Sequence, residues 1–201
     1  MIKRNSYKRQ VGVFSGSFNP IHVAHLMLAN YITEFTYIDE VWFVVTPLSP
    51  FKVAAELADE KHRLQMCQIA LKNMDKLRVS EIELSMPKPS FTINTLDKLR
   101  KDYTDFDFSL IMGADNWNKL HLWIEYERIK KEFKILIYPR LNEDVNIEPL
   151  YKENVQLCNA PILEVSSTFV RKSIREGKDM RAFLPNGIWG YILENDLYDE
   201  L

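Results

Sequence analysis

His22 and His25 stand three residues apart at the head of an apolar stretch, directly after the run GVFSGSFNP (Gly12 to Pro20). On a helix that spacing puts both imidazoles on one face. A helix starting here also aims free backbone N–H groups, and the positive end of its dipole, at whatever the histidines meet. Gly16 lets backbone approach a ligand closely, and Pro20 suits the first turn of a helix. The chemistry on offer is polyphosphate binding by hydrogen-bond donors. A P-loop would do the same with Gly-Lys-Ser/Thr, which is missing, and no third residue of matching spacing completes a metal site. An isolated H-x-x-H reads as two ordinary helix residues; its place immediately after a β-rich run outweighs that reading.

Two further segments carry polar groups at the same kind of position. In VSSTFVR (Val165 to Arg171) Ser166, Ser167 and Thr168 form an N-terminal cap. Arg171, one turn further on, can reach the anion that the cap amides face. A plain capped helix with a surface arginine is an equally good reading of that segment alone. In LIMGADNWNKLHLW (Leu110 to Trp123) an apolar run ends at Gly113. Asp115 then stands where ribose or base donors can be accepted, and Trp123 can stack on a flat heterocycle. Trp117 and Trp189 read as core.

The elements that must position these groups alternate between short β-rich runs and helical ones, which predicts an α/β domain. Strands are expected at Val11 to Phe14, Val41 to Thr46, Leu77 to Leu84, Phe108 to Met112, Ile135 to Tyr138 and, weakly, Ile162 to Val165. Helices are expected at about His22 to Phe35, after Asp59 (with Leu64, Cys67, Leu71 and Met74 in register), and around Ile93 to Tyr103. Two more follow, from Ser166 to Gly177 and from about Gly187 to Asn195. The expectation is one Rossmann-like domain over 11–201, with a mostly parallel sheet flanked by helices and a small C-terminal helical extension. Residues 1–10 read as a polar, basic tail, and residues 139–154 as a mobile or variable insertion. In open sheets of this kind ligands bind outside the C-terminal ends of the strands.

Composition narrows the partners. The 201-residue chain carries a formal net charge of -2 and is 46% hydrophobic, which supports one core and argues against broad phosphate neutralisation on nucleic acid. Cys67 and Cys158 read as reduced core thiols. No apolar run is long enough to span a membrane, and the first ten residues lack a signal-peptide core, so the chain is expected to be cytoplasmic.

Together these segments resemble the nicotinate-nucleotide adenylyltransferase family of the nucleotidyltransferase α/β superfamily. The superfamily pattern G-x-F-x-P-x-H-x-G-H is met by Gly16, Phe18, Pro20, His22 and His25, and I-S-S-T-x-x-R by Ser166, Ser167, Thr168 and Arg171. PSFTINTL (Pro89 to Leu96), Gly113 to Trp123 and FLPNGIWGYILENDLY extend the likeness over nearly the whole chain after Gln10. Ala24 replaces the usual glycine, Asn19 and Asn94 stand where aspartates are common, and Phe51-Lys52 alters a prolyl-histidyl-lysine.

The resemblance implies in-line attack by the phosphate of nicotinate mononucleotide on the α-phosphorus of ATP, with positioning and charge stabilisation as the means of catalysis. It implies His22 and His25 on the triphosphate, His25 nearest the reacting phosphate, and Arg171 with the Ser167 and Thr168 amides on the departing pyrophosphate. Gly16, Ser17, Phe18, Gly113 and Asp115 join the ATP side. Lys52 would meet the mononucleotide's phosphate, Thr92 the pyridine substituent, and Trp123 the ring. Mg²⁺ is implied through phosphates and water, with no protein metal ligands. The partners are then the two small substrates, with a homo-oligomer possible. A phosphopantetheine adenylyltransferase shares the two-histidine turn, but its acceptor has no ring for Trp123. A non-catalytic nucleotide sensor needs fewer cations than His22, His25, Lys52 and Arg171 supply.

Overall fold

The apolar runs pair into one sheet in a computed structural model that describes residues 8–48 and 57–199. Its strands are β1 (Arg9–Gly16), β2 (Glu40–Val45), β3 (Leu77–Ser80), β4 (Phe106–Gly113), β5 (Lys134–Tyr138) and β6 (Val155–Leu157). Their order is β3-β2-β1-β4-β5-β6, and every pairing is parallel. The chain steps outward from β1 in one direction, then returns to β4 and steps outward in the other. That reversal opens a crevice between the C-terminal ends of β1 and β4.

Helices α1 (Val23–Phe35), α2 (Glu60–Leu71), α6 (Ser167–Arg175) and α7 (Ile188–Glu194) cover one face. Helices α3 (Thr92–Asp102), α4 (Ala114–Asn118) and α5 (Tyr126–Glu132) cover the other. β2 explains the need for two layers. It is buried along its whole length, sending Val41, Phe43 and Val45 into the first layer and Trp42 and Val44 into the second. Strands buried on both faces read as continuous apolar runs, as this one does.

Three expectations are corrected. The third strand stops at Ser80, and Ile82–Ser85 turns into a 3-10 helix because Glu83 is drawn inward, where it accepts a hydrogen bond of 2.8 Å from Thr95 Oγ1. The sixth strand is Val155–Leu157, whereas Ile162 to Val165 is irregular. Residues 139–154 lie back against α4 rather than standing off as an insertion, with Trp117 Nε1 donating to the Asn146 carbonyl (3.1 Å) and Asn118 Nδ2 to Glu143 Oε2 (2.8 Å). Cys67 and Cys158 are buried free thiols.

Candidate active site

β1 ends at Gly16, and the turn Ser17 to Ile21 carries the chain into α1. Phe18 takes a φ of 44° in that turn. For a bulky residue this conformation costs on the order of 1–3 kcal/mol and persists only where its surroundings hold it. They do: the ring is buried against Phe14, His25 and Phe43. Gly16 matters here in a way the sequence does not suggest. A Cβ at that position would lie 3.0 Å from Phe18 Cζ, so the glycine makes room for the ring.

His22 is the N-cap of α1, and its backbone N–H donates to His25 Nδ1 at 3.2 Å. That bond occupies Nδ1 as an acceptor, so a neutral His25 carries its proton on Nε2. The two rings stack, 3.7 Å between centroids and 21° from parallel. His22 is only 4% exposed and its Nδ1 has no hydrogen-bond partner. Burial, and then the positive charge of Arg140, push its pKa down to about 4. His22 is therefore neutral at physiological pH until an anion arrives.

The cleft beside this pair is lined on its polar side by His22, His25, Tyr138 and Arg140, and on its apolar side by Leu28, Ala160, Ile162 and Val165. Arg140 follows the end of β5. It donates to Tyr138 Oη (3.1 Å) and stands 3.5 Å from Asp115 Oδ1. Asp115, expected to accept from a nucleotide, thus faces a guanidinium already. A Cβ at Gly113 would collide with Asp115 Oδ1 and crowd Arg140, which accounts for the glycine.

α6 comes to the same turn. Ser166 caps it by accepting from Phe169 N–H (3.1 Å). Ser167 Oγ donates to the Pro20 carbonyl (2.9 Å), and Arg171 Nη1 to the Asn19 carbonyl (2.8 Å), with Arg171 7% exposed. Thr168 is exposed at the first turn of α6. α6 follows the irregular stretch Ile162 to Val165 rather than a strand, and meets the first motif through these two bonds.

Thr92, at the start of α3, and Trp123, which ends a 3-10 turn at Leu120–Leu122, belong to the opposite layer and do not line the histidine cleft. Trp123 is half-buried, leaving ring surface open. Lys52 lies outside the described residues.

Arg140 and Tyr138 are the residues that sequence reasoning missed. Their signal was present: they close β5 just as Gly113 closes β4. The donor set in the cleft is imidazole, guanidinium and phenol, with one carboxylate engaged by Arg140. Among the described residues no group of three or more His, Cys, Asp or Glu is placed to hold a metal ion. Such a site suits phosphates better than a protein-ligated cation.

Residues 13–173 match the cytidylyltransferase-like family. The chain is 47% identical over 187 residues to the probable nicotinate-nucleotide adenylyltransferase of Bacteroides fragilis, covering 93% of this chain and 92% of that protein. It is 43% identical over 190 residues to the probable nicotinate-nucleotide adenylyltransferase of Flavobacterium johnsoniae, covering 94% and 98%. Among solved structures, nicotinic acid mononucleotide adenylyltransferase of Plasmodium falciparum, complexed with NaAD, superposes with a TM-score of 0.79 at 24% identity over 95% of this chain and 98% of that one. That likeness speaks to the fold.

Proposed function

Since the chain belongs to the cytidylyltransferase-like family and, within it, to the nicotinate-nucleotide adenylyltransferases, we propose that it joins the adenylyl group of ATP to nicotinate mononucleotide, giving nicotinate adenine dinucleotide and pyrophosphate. The observation that carries this reading is the stacked His22–His25 pair at the head of α1, in the switch-point crevice, with Arg140 opposite.

A phosphate oxygen of the mononucleotide attacks the α-phosphorus, forming the new P–O bond as the α–β bridging bond breaks and pyrophosphate leaves. The attacking oxygen is already anionic, so no base and no covalent enzyme intermediate are needed. What the chain supplies is alignment and fixed positive potential. His25, with its proton directed to Nε2, donates to the reacting phosphate. His22 and Arg140 meet the remaining triphosphate oxygens, and Gly113 and Asp115 back them. Ser167, Thr168 and Arg171 at the head of α6 face the leaving pyrophosphate, beside Gly16, Ser17 and Phe18. Mg²⁺ entering with ATP would add positive charge to the triphosphate without calling on protein ligands. On the acceptor side Thr92 meets the ring substituent, Trp123 the ring, and Lys52 the phosphate.

The deciding assay is pyrophosphate release from ATP with nicotinate mononucleotide, nicotinamide mononucleotide or phosphopantetheine as acceptor. The reading expects the nicotinate acceptor to have the highest kcat/KM. Equal efficiency with the amide would remove the acid preference, and release only with phosphopantetheine would replace the function.

A further inference from the structure

Arg63, in the first turns of α2, is among the largest nearly enclosed side chains of the described residues: it is 1% exposed. Its bonds all run to backbone carbonyls. Nε donates to Ala58 O (2.9 Å), Nη1 to Ser17 O (2.8 Å) and Thr46 O (2.7 Å), and Nη2 to Pro47 O (2.9 Å). No carboxylate among the described residues lies within ion-pair distance of it. A buried cation without an anionic partner carries a large desolvation penalty, and burial accordingly pushes its pKa down. Four charge-assisted bonds offset part of that penalty, and an apolar side chain would leave the four carbonyls without these donors. Beyond stability, the arrangement fixes a geometry.

The four carbonyls belong to three segments. Ser17 lies in the donor turn. Thr46 and Pro47 close β2, and Ala58 leads into α2; in sequence they bracket the stretch that carries Lys52. Ala58 is held twice, because its N–H also donates to Asn19 Oδ1 (3.1 Å). With the Ser17 carbonyl drawn to the guanidinium, the planar trans peptide sends the Phe18 N–H the opposite way. Arg171 and Ser167 draw the Asn19 and Pro20 carbonyls to themselves in the same manner.

We propose that Arg63 is a positioning residue for the transfer, whose guanidinium fork locks the donor turn to the end of β2 and the head of α2 and so fixes the turn's backbone against the reacting triphosphate. The inference rests on the adenylyl-transfer reading. A lysine has the charge but gathers its three donors on one nitrogen, and does not reproduce a planar fork that meets four carbonyls from Nε, Nη1 and Nη2.

The test compares wild type with Arg63→Lys and Arg63→Gln. Titration calorimetry gives the affinity of each substrate alone, pyrophosphate release gives kcat, and circular dichroism gives the folded fraction. Each substrate should still bind alone within about threefold, while kcat per folded molecule falls by roughly 10²-fold in both variants, the scale of an ångström's misplacement. Wild-type kcat in Arg63→Lys would overturn the proposal, since charge alone would then suffice. A loss that merely tracks the folded fraction, or failure of both variants to fold, would also overturn it in favour of a purely structural role. Wild type that releases no pyrophosphate with nicotinate mononucleotide would instead sink the functional reading.

Discussion

At the scale of single residues, His22 and His25 have the same side chain and different tasks. His25 keeps a directed Nε2–H because the His22 backbone N–H occupies its Nδ1. His25→Ala should therefore leave the fold intact and lower kcat by about 10²–10³, the loss typical of one preorganised donor to developing charge. A kcat within about tenfold of wild type would remove His25 from the reacting phosphate. His22 controls a pH effect. Its folded pKa of about 4 lies below the ordinary 6.5, so between those values the unfolded chain holds the extra proton. Stability then falls as the pH is lowered through that window. From pH 7.5 to pH 5 the loss should be about 2 kcal/mol in urea unfolding of the free protein. His22→Asn should lose that share of the pH dependence; an unchanged slope would mean that His22 is not held neutral. The histidine pair was legible because its spacing is local to one helix. Arg63 was not. Within Glu60-Lys61-His62-Arg63 it reads as one more surface charge, and carbonyls from the donor turn and the end of β2, with Ala58 beside it, make its burial tolerable.

Among elements, the two layers carry different groups: α1 and α6 bear the histidines and Arg171, and the α3 side bears Thr92 and Trp123. Substitutions should therefore act on one substrate at a time. Trp123→Ala should raise the KM for the mononucleotide roughly 5- to 150-fold, by analogy with base–aromatic stacking of about 1–3 kcal/mol. The KM for ATP should stay within about twofold of wild type, because loss of uniform binding is confined to the substrate concerned. An unaltered mononucleotide KM would return Trp123 to the core. Long apolar elements such as β2 and α1 could be read from pattern because both are strongly periodic or continuously apolar. β6 could not: Val155–Leu157 is a three-residue edge strand with two exposed positions, and the more apolar Ile162 to Val165 was the stronger candidate. α5 was missed because Tyr126–Glu132 shows only seven residues, mostly charged, with Ile129 as its one fully apolar anchor.

Over the whole molecule, the far C-terminus is part of the donor turn's support. Tyr198 is 1% exposed, and its hydroxyl donates to Asn19 Oδ1 at 3.0 Å. Asn19 stands where an aspartate was expected from the resemblance, and the amide oxygen accepts from both Tyr198 and Ala58 without placing a charge there. Tyr198→Ala should cost about 3–5 kcal/mol in urea unfolding, as for other large aromatic truncations. Tyr198→Phe should cost about 1 kcal/mol, the net worth of one hydrogen bond. A cost below about 1 kcal/mol for the alanine variant would show the tail to be loosely held. The order in which the chain is made gives these ties a further meaning. The turn at Ser17 to Ile21 leaves the ribosome early, but Ser167 and Arg171, which draw back the Pro20 and Asn19 carbonyls, and Tyr198, which donates to the Asn19 side chain, come 147, 152 and 179 residues later. Contacts of such separation form late in folding. A nascent chain carrying both histidines should therefore be unable to act on ATP until Tyr198 has emerged.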